Sequence, residues 1–194
     1  MIAEANRRTR PLMLSLVAVA CLLCVPPLLA QKGVPTFTGK GTVTEALDSE
    51  KGALFDIGKG VTMYFPVGLP VGSSRLVTLK QGKRPPANAV TKGFKPLGPT
   101  LDFNGALSAK GNPIVLTVKS KRVAKKPGQR IVLAMEIGTF CEAHNKKYKL
   151  SSGLCSGWNL VDASYDTGGE QLVARLEATG GMRMQFGLAP EESE

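Results

Sequence analysis

The chain has 194 residues and a formal net charge of +10, with 25 lysines and arginines against 15 acids. That length suits one domain with a real hydrophobic core. The single histidine, His144, and the two cysteines beyond residue 30, Cys141 and Cys155, which are expected to bridge each other, cannot make a zinc site with the usual ligand spacing, so no metal or other cofactor is expected.

Residues 1–30 read as a secretory signal peptide. Arg7, Arg8 and Arg10 precede an apolar run from Leu12 to Val25, and Pro26-Pro27-Leu28-Leu29-Ala30 follows with a small residue at its end. A helix over Leu12 to Val25 would span about 21 Å at 1.5 Å per residue, short of the roughly 30 Å hydrocarbon core. An uncleaved anchor, and a lipoprotein cut before Cys21, are the competing readings. The second would leave Cys24 and the apolar Val25 to Leu29 on the mature chain, so cleavage after Ala30 is favoured. Residues 31–37 then form a linker, 38–190 a single domain and 191–194 an acidic tail.

Within the domain, apolar and polar residues alternate with period 2, the mark of half-buried strands. Short candidates lie at 38–46 and 53–57. Val61, Met63 and Phe65 then share a face against Thr62 and Tyr64. Further candidates at 75–80 and 100–104 precede Ile114, Leu116 and Val118, which oppose Val115 and Thr117. Ile131, Leu133, Met135 and Ile137 oppose Val132, Ala134 and Glu136. A candidate at 158–165 leads to Leu172, Ala174 and Leu176, opposite Val173, Arg175 and Glu177. Last come Met182, Met184, Phe186 and Leu188 against Arg183 and Gln185. Glycines and prolines punctuate the runs, including Gly58-Lys59-Gly60 and Pro127-Gly128. Gly180-Gly181 suggests a hairpin joining the last two strands. No stretch holds a 3.6-residue period for three turns. The fold class expected is an all-β, antiparallel β-sandwich, immunoglobulin-like or related.

Cys141 and Cys155 are the pair left after a cleaved leader. An exported protein makes a disulfide between them the default, with separate reactive thiols as the alternative. The bridge would close a lysine-rich loop of about 15 residues, worth about 3 kcal/mol in the chain-entropy model.

The run Val61-Thr-Met-Tyr-Phe-Pro66-Val-Gly68-Leu-Pro70 resembles the opening of the β-sandwich domain shared by ankyrins, netrin receptors and the zonula occludens protein. Leu97-Gly98-Pro99, Leu101-Asp-Phe-Asn-Gly105 and Pro113-Ile-Val-Leu-Thr-Val118 resemble its later elements. The likeness covers residues 60–118, about a third of the chain, and implies a sandwich used for protein contacts. Some members cut themselves at His-Phe-Ser. Here the only histidine is His144, followed by Asn145, so self-cleavage is not implied.

Catalytic patterns are weak. Gly153-Leu-Cys155-Ser-Gly157 matches a nucleophile-elbow variant, and Cys155-Ser-Gly-Trp158 resembles papain-like cysteine sites, with His144 as the one available partner. A disulfide beside a packed Trp158 is the plainer account. Asp162-Ala-Ser-Tyr-Asp166-Thr-Gly168 suggests calcium ligands, yet Thr167 and Val173 stand where an EF-hand loop needs Gly and Glu. Cations cluster in three places: Lys80, Lys83, Arg84, Lys92 and Lys95; Lys119, Lys121, Arg122, Lys125, Lys126 and Arg130; and Lys146, Lys147 and Lys149. The second cluster is the candidate surface for an anionic partner. Export, and the absence of aromatics between the lysines, argue against nucleic acid.

The expected protein is thus an exported, non-enzymatic binding or structural module of a bacterial cell envelope, in the periplasm, at the surface or released. Its partners would be anionic envelope components or another envelope protein, with membrane contact only through an uncleaved or lipidated N-terminal segment. The alternative is a secreted hydrolase of unfamiliar type using Cys155 or a carboxylate cleft of Asp56, Asp102, Asp162 or Asp166.

Overall fold

A computed structural model describes residues 33–69, 76–83, 90–109, 111–136 and 158–191. Among them there is no helix. The described residues form thirteen strands: β1 (Thr36–Thr38), β2 (Thr42–Ala46), β3 (Ala53–Asp56), β4 (Val61–Phe65), β5 (Leu76–Gln81), β6 (Lys95–Asn104), β7 (Leu107–Ser108), β8 (Ile114–Lys119), β9 (Gln129–Glu136), β10 (Trp158–Asp166), β11 (Gln171–Leu176), β12 (Ala178–Thr179) and β13 (Met182–Pro190). Eleven form one sheet in the order β1-β3-β4-β8-β11-β10-β9-β13-β6-β5-β2, and β12 pairs with β7 beside it. The large sheet nearly closes into a barrel.

Its seam falls between β1 and β2, which are consecutive in the chain. The region expected as one strand at 38–46 is broken at Gly39-Lys40-Gly41, and β1 begins inside the segment read as a linker. Gly39 N–H donates to Asp56 O (2.8 Å), Gly41 N–H to Ile57 O (2.7 Å) and Gln81 N–H to Gly41 O (2.8 Å), so the link ties β3 to β5 at one end of the seam. The β1–β3 ladder is parallel, so the sheet is mixed where an antiparallel one was expected.

β10 holds the two halves together. Its residues 158–162 pair with β9 and 163–166 with β11, so one strand serves two ladders. The main core draws on both halves: Phe55, Met63 and Phe65 on one side, and Leu79, Leu101, Phe103, Leu133, Met184 and Phe186 on the other. Phe55 meets Phe65 edge-on at 4.9 Å, and Phe65 stacks with Phe103 at 6.2 Å. Each such ring, fully buried, stabilises by about 1.5–3 kcal/mol.

Two expectations for the C-terminal strands need correction. There is no hairpin at Gly180-Gly181. β11 is flanked by β8 and β10, while β13 is flanked by β6 and β9, so neither has an edge left for the other. Gln185 shares the outer face with Arg183, as alternation requires, yet it is only 1% exposed. It lies opposite Ala134, at the border of a second, smaller core outside the barrel, where Phe94 packs with Val132, Ala134 and Ala189, joined by Val90, Trp158 and Leu160. Gln185 is satisfied there. Its Oε1 accepts from Thr100 Oγ1, and its Nε2 donates to Gly98 O at 3.1 Å. Gly98, at φ 71°, bends β6 inward until an added Cβ would stand 2.9 Å from Val118 Cγ1. Register shifts between Gln185 and Gly187 at this point, as at a β-bulge.

Candidate functional site

The registers fix which connections share an end of the barrel. β1, β3, β5, β8, β10 and β13 finish at one end, where β2, β4, β6, β9 and β11 begin. Gly39-Lys40-Gly41, the 57–60 turn, Lys83, Lys92 and Lys95, the 120–128 loop, the 167–170 turn and Glu191 therefore meet there. Lys83, Lys92 and Lys95 of the first cation cluster and Lys119, Lys121, Arg122, Lys125 and Lys126 of the second, separate along the chain, thus share this end through strand direction alone.

Local bonds hold this end together. The β3–β4 turn has Lys59 and Gly60 at φ 55° and 72°, the pair of positive values that a type I′ hairpin needs. Gly60 lies so close to β8 that a Cβ would stand 2.3 Å from Lys119 Cβ, and Lys119 N–H donates to Gly60 O at 2.7 Å. Across the seam, Lys59 Nζ donates to Gln81 Oε1 at 3.4 Å. The Thr91–Phe94 turn sits against Pro190, whose Cγ would be 3.3 Å from a Cβ on Gly93.

The 120–128 loop is anchored from beneath, and its charges face outward. Ser120 N–H donates to Glu170 O (2.7 Å), while Tyr165 OH donates to Ser120 O (3.0 Å). Val123 packs on the main core. Lys126-Pro127-Gly128-Gln129 closes as a turn with Gly128 at φ 73° and Gln129 N–H on Lys126 O (3.2 Å), a type II arrangement with Pro and Gly in their preferred places. Lys119, Lys121, Arg122, Lys125 and Lys126 are exposed. Arg130 is placed differently. It lies on β9, 24% exposed, with its NH1 2.9 Å from Asp162 Oδ1, and so belongs to the sheet rather than to the loop.

The acids at this end are largely occupied. Asp56 Oδ1 accepts from Gly58 N–H at 2.8 Å. Asp166 accepts from Gly168 N–H (3.0 Å) and from Gln171 Nε2 (3.1 Å). The backbone of Gly169, the Gln171 amide and the Gly168 backbone hold its carboxyl below the ordinary 3.8. Glu191 Oε1 lies 3.4 Å from Lys125 Nζ.

Lys40 and Lys59 were not among the sequence candidates. The signal was present as a repeated Gly-Lys-Gly, at 39–41 and 58–60, each copy a lysine on a turn. Lys80 stands apart on the outer face of β5, where Lys80, Asp102, Arg183 and Glu136 form an ion ladder over four adjacent strands, with separations of 3.9, 3.2 and 3.5 Å. Thr78 and Asn104 line the same cleft of about 360 Å³. Cys141, Cys155, His144, Arg84 and the lysines at 146, 147 and 149 lie outside the described residues.

The carboxylates considered for a hydrolytic cleft are dispersed. Asp56 and Asp166 cap different turns, while Asp102 on β6 and Asp162 on β10 stand on non-adjacent strands, each paired with an arginine of the neighbouring strand. Among the described residues, no group of three or more His, Cys, Asp or Glu could hold a metal ion. No protein-family model matches the chain, and no curated protein matches it either.

Proposed function

We propose that this protein is an exported, non-enzymatic binding module whose cationic barrel end engages an anionic component of the cell envelope. The observation that carries the reading is the convergence of Lys40, Lys59, Lys119, Lys121, Arg122 and Lys126 on one end of the β framework, where they outnumber the acids Asp56, Asp166, Glu170 and Glu191. Opposite charges at such an end attract a polyanion over a Debye length of about 8 Å at physiological ionic strength. Removal of residues 1–30 and a Cys141–Cys155 bridge belong to the same reading, because both follow from export. The two halves joined by β10 would pack as the layers of a flattened sandwich, the architecture that the ankyrin-type resemblance implies. The hydrolase alternative is left with Cys155, since Asp56, Asp102, Asp162 and Asp166 do not converge.

The test replaces Lys121, Arg122, Lys125 and Lys126 with glutamine and measures binding to inorganic polyphosphate and to phosphatidylglycerol vesicles against salt. The native protein should bind at low salt and weaken steeply as salt rises. The variant should bind less, with thermal stability almost unchanged, because surface substitutions usually stay within about 0.5 kcal/mol. Equal binding by both proteins would remove the loop from the function.

A further inference from the structure

The acidic residue that follows β13 comes to rest within the cationic end. Pro190 pairs with Gln129 at the last register of the β9–β13 ladder, and Glu191 N–H donates to Gly128 O at 3.0 Å. That bond fixes the Glu191 backbone beside the Pro127-Gly128 turn, and its carboxylate reaches back to Lys125 Nζ at 3.4 Å. Side-chain exposures of 48% for Lys125 and 55% for Glu191 leave the pair open to solvent. Exposed pairs contribute little to stability, so folding gives no strong reason for this placement. Its effect on an incoming anion is direct, since an anion that docks on Lys125 competes with a carboxylate already beside the ammonium group.

We propose that Glu191 is a built-in competitor for the anionic partner, occupying Lys125 in the free protein and giving it up on binding. This rests on the proposed function of the cationic end and adds a threshold to it. The pair lowers affinity for weak or sparse anions, while a dense polyanion displaces the carboxylate and recovers the lysine. The backbone bond to Gly128 is independent of the carboxylate, so the competitor can be removed without loosening the turn.

A double-mutant cycle on the full chain tests this with inorganic polyphosphate as the probe. Lys125→Gln should lower affinity less than about twofold in the native background and about two- to fivefold in the Glu191→Gln background, the range that an exposed pair supports. Glu191→Gln alone should tighten binding by a similar factor. Glu50→Gln, the same charge change in the β2–β3 connection at the other end, should leave affinity unchanged. An equal loss from Lys125→Gln in both backgrounds would overturn the proposal while leaving the cationic surface intact. Absence of salt-sensitive binding by the native protein would instead overturn the functional reading, and this one with it.

Discussion

Phe186 shows how much a single inward side chain contributes here. It is fully buried in the main core, on the strand that pairs with both β6 and β9. Phe186→Ala should cost about 3–5 kcal/mol, read by denaturant unfolding with an unchanged slope. A loss below about 1 kcal/mol would mean that the wrong face of this strand has been placed inside, or that the strand is absent, because the transfer free energy of a buried ring alone exceeds it. Asp166 acts through charge instead. Its carboxyl is held below 3.8 by the bonds across the β10–β11 turn, so the native state favours the ionised form. The stabilisation is complete above pH 3.8 and is lost as pH falls below it through the depressed native value. The melting-temperature gap between the native protein and Asp166→Asn should therefore be widest at neutral pH and narrow on the acid side. A gap that stays constant through acid would show that the turn does not depend on this charge.

At the scale of elements, sequence periodicity served some strands better than others. β4 reads cleanly because Val61, Met63 and Phe65 are buried and alternate with the half-buried Thr62 and Tyr64, whereas β8 and β11 are located correctly although Val115, Thr117 and Val173, read as their outer faces, are buried too. β6 was recognised only from residue 100, since the Leu97-Gly98-Pro99 bulge interrupts its pattern while the pairing to β13 continues to Lys95. The expected C-terminal hairpin failed because alternation reports which face is buried, not which strand lies alongside. The burial of Gln185 escapes the alternation for a related reason: its partners Thr100 and Gly98 lie far away in sequence. Two further segments, the N-terminal 30 residues and the connection 137–157, carry expectations that rest on the sequence. Intact-mass analysis of the exported protein after alkylation without reductant should show a start at Gln31 and no label on Cys141 or Cys155. A label on Cys155 in folded protein would remove the bridge and revive the cysteine-enzyme reading.

For the molecule as a whole, the candidate surface was half legible. The run Lys119 to Lys126 stood out in the sequence, and Pro127-Gly128 indicated that it would end in a turn. The contributions of Lys40 and Lys59 did not stand out, because they depend on the seam between β1 and β2 bringing two short turns together, a contact between the chain's first strands and β5. Arg130 was grouped with the loop by proximity in sequence, although strand β9 turns it toward Asp162. The charged end is therefore a product of topology, in which alternating strand directions send lysines from separate connections to the same place.

The most direct test asks where on the molecule a polyanion lands. Lysine acetylation footprinting with and without inorganic polyphosphate, at low salt, reports each ammonium group separately. Lys40, Lys59, Lys119, Lys121 and Lys126 should be protected, with Lys51 and Lys80 acetylated as in the free protein. Protection spread evenly over all lysines, or centred on Lys51 and Lys80, would contradict the proposed function.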